Sequence, residues 1–143
     1  MDDKIYKLIV FTCNEGEKLF DKEFYSEAIN FFHKAFELIP ESKRNWEAGN
    51  WIQVAIGDCF FNLGKFEKAN EYFRHSEIYP NSKNSGFPQL RIGQCYYEIN
   101  DLENAKEYLM RAFLLGGIEI FDEEDEKYIF LISELIKKDT RGN

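Results

Sequence analysis

The 143-residue sequence predicts an all-α fold: three helical hairpins in tandem and a C-terminal capping helix, forming one domain over residues 1–143. Three observations carry this prediction. Ala28, Ala69 and Ala105 occupy the same place in three similar stretches, each with a glycine twelve residues before it (Gly16, Gly57, Gly93). Three residues before these alanines stand Tyr25, Phe66 and Leu102; four after come Phe32, Phe73 and Leu109; seven after come Ala35, Ser76 and Ala112. Such self-similarity at a period of a few tens of residues is the mark of a stacked repeat. Apolar residues recur at helical spacing through most of the chain. The strong breakers, Pro40, Gly64, Pro80 and Gly116-Gly117, fall between the periodic segments.

Taken in order, Lys4 to Phe20 is a first helix, with Ile5, Leu8, Ile9, Phe11, Leu19 and Phe20 mostly at helical spacing and no proline. A second helix is expected to begin near Ser26, whose hydroxyl can cap it, and to carry Ala28, Ile29, Phe32, Ala35, Phe36 and Ile39 before Pro40. These make a first unit over about 4–40. The second unit, about 45–80, contains Trp46 to Phe73 and divides at Asn62-Leu63-Gly64-Lys65, because Gly64 is a poor helix interior and a good helix end. Its small residues Ala55, Gly57 and Ala69 let helices approach, while Trp51, Phe60, Phe61, Phe66, Tyr72 and Phe73 fill the gaps.

The step from Ala28 to Ala69 is 41 residues and that from Ala69 to Ala105 is 36, so Glu41 to Glu47 is additional. This stretch reads as a lengthened third helix that buries Trp46; the alternative is a projecting ridge with Trp46 as an anchor. The third unit spans about 86–117. Acidic residues Asp122 to Asp125 then suit a helix N-terminus and Lys137-Lys138 a C-terminus, with Tyr128, Ile129, Leu131, Ile132, Leu135 and Ile136 between them. This capping helix, about 122–138, is expected to cover the apolar face that a stack leaves open. Residues 139–143 are expected to fray.

Composition narrows the function classes. Aromatic residues make up 17% of the chain, including 14 Phe, which argues for a packed interior. The net charge of -8 speaks against nucleic acid, whose phosphates are bound by Lys and Arg, and for a basic or mixed partner. No apolar run is long enough to span a membrane, and Met1-Asp2-Asp3-Lys4 is not the start of a secretory signal, so the expected location is cytoplasmic. Cys13, Cys59 and Cys95 are read as reduced, core-filling thiols. His33 and His75 have no second ligand at chelating spacing, and no nucleophile-base pair or phosphate-binding loop is present; neither a metal, a cofactor nor an enzymatic activity is expected.

The repeat register resembles that of tetratricopeptide repeat (TPR) proteins, built from helix-turn-helix units of about 34 residues. The resemblance extends nearly to Leu115 and implies a right-handed solenoid whose groove is lined by the first helix of each unit. Carried onto this chain, the groove positions are Val10, Cys13, Glu17, Phe20 and Asp21; then Trp51, Val54, Asp58, Phe61 and Asn62; then Phe87, Leu90, Gln94, Tyr97 and Glu98. From these the expected protein-binding set is Glu17, Phe20, Asp21, Trp51, Val54, Asp58, Phe61, Phe87, Leu90, Gln94, Tyr97 and Glu98, an aromatic and acidic lining suited to an apolar, basic protein or peptide. TPR domains that hold acidic chaperone tails use a Lys, Arg and Asn clamp, whereas this chain has Cys13, Glu17, Val54 and Asp58 there, with Arg91 the nearby cation. The pieces WEAGNWIQVAIGDCFFNLG and LRIGQCYYEINDLENAKEYL are also similar to small acidic stand-alone TPR proteins of bacteria, some encoded beside toxins. That likeness implies a non-enzymatic immunity protein against a basic toxin domain; a general adaptor or secretion chaperone is the alternative, and an enzyme with a cryptic site the third.

Overall fold

Helices that share an apolar stripe pack wherever small residues admit a neighbour, and the repeated glycines and alanines mark those places. The computed structural model of the chain describes residues 1–80 and 85–141, with side chains as far as residue 138. The expectation for residues 139–143 lies outside the described side chains. Among the described residues there are seven α-helices and no strand: α1 (Asp3–Asp21), α2 (Tyr25–Leu38), α3 (Glu47–Asn62), α4 (Phe66–His75), α5 (Phe87–Glu98), α6 (Leu102–Gly116) and α7 (Glu126–Arg141). They fall into two compact units, Met1–Ser82 with α1 to α4 and Lys83–Asn143 with α5 to α7.

The sequence register is a contact register. A Cβ placed on Gly16 would stand 2.9 Å from the Phe32 ring, on Gly57 2.7 Å from Phe73, and on Gly93 2.7 Å from Leu109. The same glycine therefore admits the same second-helix side chain in all three hairpins. Ala28, Ala69 and Ala105 are each 0% exposed.

Each hairpin also turns in the same way. Glu23, Gly64 and Asn100 take positive φ angles of 65°, 75° and 66°. The next residue then donates its N–H back across the turn: Phe24 to the Leu19 carbonyl, Lys65 to Phe60 and Asp101 to Tyr96, at 2.9, 2.9 and 2.8 Å. A left-handed residue followed by this backward bond satisfies carbonyls at the end of a helix. It also corrects the expected start of α2. The helix begins at Tyr25 directly after the turn, Phe24 is its cap without a side-chain bond, and Ser26 lies inside the first turn. Carboxylates cap α1, α6 and α7: Asp2 accepts from the Lys4 N–H at 2.7 Å, Asp101 from the Asn104 N–H at 3.3 Å and Asp125 from the Lys127 N–H at 3.0 Å.

The extra residues after Pro40 are not a lengthened helix. Lys43–Asn45 form one 3-10 turn, Trp46 is extended, and α3 starts at Glu47. The reason is local. The Lys43 ammonium donates to the carbonyls of Ile39 and, at 3.4 Å, Glu37, closing the end of α2, and it lies 5.5 Å from the Phe36 ring centre. A helix running through these residues would forfeit that cap. At the start of α3, a Cβ on Gly49 would stand 2.2 Å from Tyr79, so this glycine admits the ring that closes the second hairpin.

In the first unit Ile9, Phe32, Ile52, Ile56 and Cys59 form the centre of one core, with Trp46 and Trp51 half-buried against it. In the second unit Leu90, Leu109, Phe121, Tyr128 and Ile132 form another, so the segment after α6 and the helix α7 cover the third hairpin. No helix among the described residues is long and apolar enough to cross a membrane.

Candidate protein-interaction face

The first helix of each hairpin places its register positions on one helical stripe, since they fall at spacings of three or four residues. In the first unit that stripe is accessible. Glu17 and Asp21 are exposed, and Phe20, Trp51, Val54, Asp58 and Phe61 are half-buried. Two of the rings are held by their neighbours: Phe20 meets Tyr25 edge-on at 5.1 Å and Phe61 meets Phe66 edge-on at 5.3 Å. Such edge contacts fix ring orientation while leaving a face open. Cys13 is the exception, at 4% exposure, so it belongs to the core and not to a groove.

The equivalent stripe on α5 has a different fate. Leu90 is 1% exposed and Gln94 0%, which removes both from any lining. The cause is the chain's own C-terminal segment. Gln94 Nε2 donates to Glu124 Oε1 at 2.6 Å, Arg91 donates to the same oxygen at 2.8 Å, and Arg91 also donates to Gln94 Oε1 at 2.6 Å. Tyr97 meets Tyr128 edge-on at 5.2 Å. Glu98 accepts from the Tyr128 hydroxyl at 2.8 Å and pairs with Lys127 at 2.6 Å. Phe87 lies under the Arg91 guanidinium at 4.7 Å. All five expected positions of the third hairpin therefore meet residues of their own unit. The Arg91 cation, which the sequence places near the groove, is tied to Glu124 with both side chains below one-fifth exposed.

Burial, and after it the neighbouring carboxylates Glu17 and Asp58, push the Cys13 and Cys59 thiols up to about 12, so neither is a thiolate nucleophile at neutral pH. Burial and then the hydrogen bond to Glu98 push the Tyr128 phenol well above its ordinary value. Among the described residues no group of three or more His, Cys, Asp or Glu side chains is arranged to hold a metal ion.

One feature escaped the sequence reading. Between the starting turns of α1 and α3 lies a cleft of about 340 Å³, lined by Asp3, Tyr6, Trp46, Glu47 and Trp51 among others. Of these, only Trp51 stands at a register position. Asp3 and Tyr6 precede the first repeat position and Trp46 lies in the additional stretch, so no spacing in the sequence joins them.

Comparison with known proteins follows the same lines. The tetratricopeptide repeat family matches residues 52–77 and 89–115. Among curated protein sequences no match is found. Among solved structures, the C-terminal TPR-containing domain of a Plasmodium falciparum protein described as FK506-binding superposes with a TM-score of 0.74 at 19% identity, covering 100% of this chain and 97% of that one. The first TPR of Spaghetti (RPAP3), bound to the HSP90 peptide SRMEEVD, gives 0.62 at 19% identity over 94% and 91% of the two chains. The Yersinia enterocolitica type III secretion chaperone SycD, in complex with a peptide of the translocator YopD, gives 0.67 at 14% identity over 97% of each.

Proposed function

We propose that this chain, a tetratricopeptide repeat protein by its repeat matches and its all-α solenoid fold, is a non-enzymatic module that binds an apolar, basic protein segment. The observation that carries the reading is the stripe of α1 and α3. It interleaves Phe20, Trp51 and Phe61 with Glu17, Asp21 and Asp58, and no Lys or Arg stands at its register positions. Similar folds are found with peptides bound, one an HSP90 peptide and one a peptide of a translocator. The acidic HSP90 peptide would meet carboxylates on this chain where an acid-binding clamp needs cations, so the charge of the ligand is inverted here. The other members of the sequence-derived set are left out of the face: α7 and the residues before it engage Leu90, Gln94, Tyr97 and Glu98, and the Arg91 guanidinium lies over Phe87.

The test is binding of labelled peptides of matched hydrophobicity bearing basic, neutral or acidic residues. Basic peptides bind best, and Asp58→Lys weakens them about tenfold, the effect of about 1.4 kcal/mol. Equal affinity for acidic and basic peptides, or no effect of Asp58→Lys, sinks the reading. Within it, a cytoplasmic immunity protein against a basic toxin domain is the finer form, supported by the net charge of -8. Co-expression with a toxin encoded beside it would then rescue growth; unchanged toxicity removes that form and leaves the module.

A further inference from the structure

The chain covers several of its own aromatic rings with cations. Among the described residues, Lys43 lies over Phe36, Arg91 over Phe87, and Lys127 over both Tyr97 and Tyr128, at 4.7 to 5.5 Å from the ring centres. The rings of the cleft between α1 and α3 are not treated this way. Among the described residues no cation lies over Tyr6, Trp46 or Trp51 and no Lys or Arg lines the cleft, while Asp3 and Glu47 stand in its wall.

Tryptophan faces attract cations more strongly than those of the other aromatic side chains, and desolvation in a cleft strengthens the effect. Carboxylates beside them add a full opposite charge. At Asp3 a competitor is Lys7, whose ammonium is 3.1 Å away, but both side chains are more than three-quarters exposed, so this pair is readily exchanged. A volume of about 340 Å³ also suits one long side chain with its flanking backbone.

We propose that the cleft takes an arginine side chain of the bound segment, its guanidinium against the tryptophan and tyrosine rings and its charge met by Asp3 and Glu47. Arginine is favoured over lysine because a planar guanidinium stacks on a ring while its edge reaches a carboxylate, and because it sheds water more easily than an ammonium. The inference rests on the reading of the α1 and α3 stripe as a peptide-binding face, which Trp51 shares with the cleft. It names an arginine near one end of the segment as the anchoring residue.

Trp46 and Trp51 are the two tryptophans of the sequence, so fluorescence excited selectively at tryptophan reports from the cleft alone. The probes are Nα-acetylarginine amide, its lysine counterpart, and Nα-acetylcitrulline amide, which has the shape of arginine without its charge. The arginine probe produces a saturable change in the millimolar range, about threefold weaker with lysine and absent with citrulline. The paired substitutions Asp3→Asn and Glu47→Gln, both at exposed positions, weaken the arginine probe about tenfold with unchanged circular dichroism. Equal responses to arginine and citrulline overturn the proposal without any variant, and so does full affinity in the double variant. If basic peptides bind and are lost with Asp58→Lys while arginine and citrulline behave alike, the cleft assignment fails and the face stands. If the arginine probe saturates and no peptide binds, the cleft is upheld and the face fails.

Discussion

Gln94 donates a hydrogen bond of 2.6 Å to Glu124, and this contact separates the third hairpin from the first two. Gln94 stands at the register position held by Glu17 and Asp58 in the other hairpins, where Glu17 is exposed and Asp58 half-buried. A carboxylate at 94 would face another at 124; the amide instead bridges Arg91 and Glu124.

Removing Glu124 therefore leaves a buried amide and a largely buried guanidinium without their shared acceptor. Glu124→Ala is expected to cost about 2–4 kcal/mol. Glu17→Ala, exposed at the equivalent position, changes stability by no more than about 0.5 kcal/mol. Urea unfolding followed by circular dichroism measures both, and equal small effects would show that the triad adds no stability.

The three hairpin turns have left-handed residues of unequal fitness. Gly64 adopts its φ of 75° freely, while Glu23 holds 65° against the steric preference of a residue with a Cβ. Glu23→Gly is expected to raise stability by about 0.5–1 kcal/mol, and Gly64→Ala to lower it by about 1 kcal/mol, although nothing lies within 4 Å of the added methyl. Thermal unfolding of the two variants should move in opposite directions.

Close approach, in contrast, governs the helix-facing glycines. Gly57→Ala drives a methyl group to 2.7 Å from Phe73, which is 0% exposed and has no room to yield. A loss of about 1–3 kcal/mol is expected, as for other overpacked cores. The additional substitution Phe73→Leu should recover part of it, and a double-mutant cycle with no coupling would place the strain elsewhere.

Alkaline pH offers a test of the buried thiols. Cys13 and Cys59 ionise near 9.0 when exposed and are pushed up to about 12 in the fold, so the folded chain binds more protons between these values than the unfolded one. The associated stability is fully present below pH 9 and is lost as the pH rises toward 12, at up to about 1.4 kcal/mol per pH unit for each thiol. Because tyrosines and lysines titrate in the same window, the readout is a difference. Wild type should lose more stability between about pH 8 and about pH 11 than the double variant with Cys13→Ala and Cys59→Ala. Parallel curves would mean that the thiols ionise without unfolding.

Most of the fold was legible because it is periodic. Spacing marks Gly16, Gly57 and Gly93 as places where two helices pass closely, and the structure sets Phe32, Phe73 and Leu109 against them. Gly64 and Gly116-Gly117 were read as helix ends and are such. What escaped was chemistry without a pattern. The turn at Glu23 carries a residue that does not announce a positive φ, and the cap that Lys43 places on α2 turns an expected helix into a 3-10 turn.

The sequence by itself determined the number of hairpins, their register and the inward-facing side chains, since these follow from helical periodicity and from where small residues recur. Only the tertiary structure decided which register positions remain open. Leu90 and Gln94 have the same place in their helix as Val54 and Asp58, and a repeat cannot distinguish them. The difference is made by Phe121, Glu124 and Tyr128, distant in sequence, which fill the third hairpin's stripe because an apolar end must be covered. The cleft of Tyr6, Trp46 and Trp51 is likewise a product of packing, in which residues from two separate stretches of sequence meet at the ends of two helices.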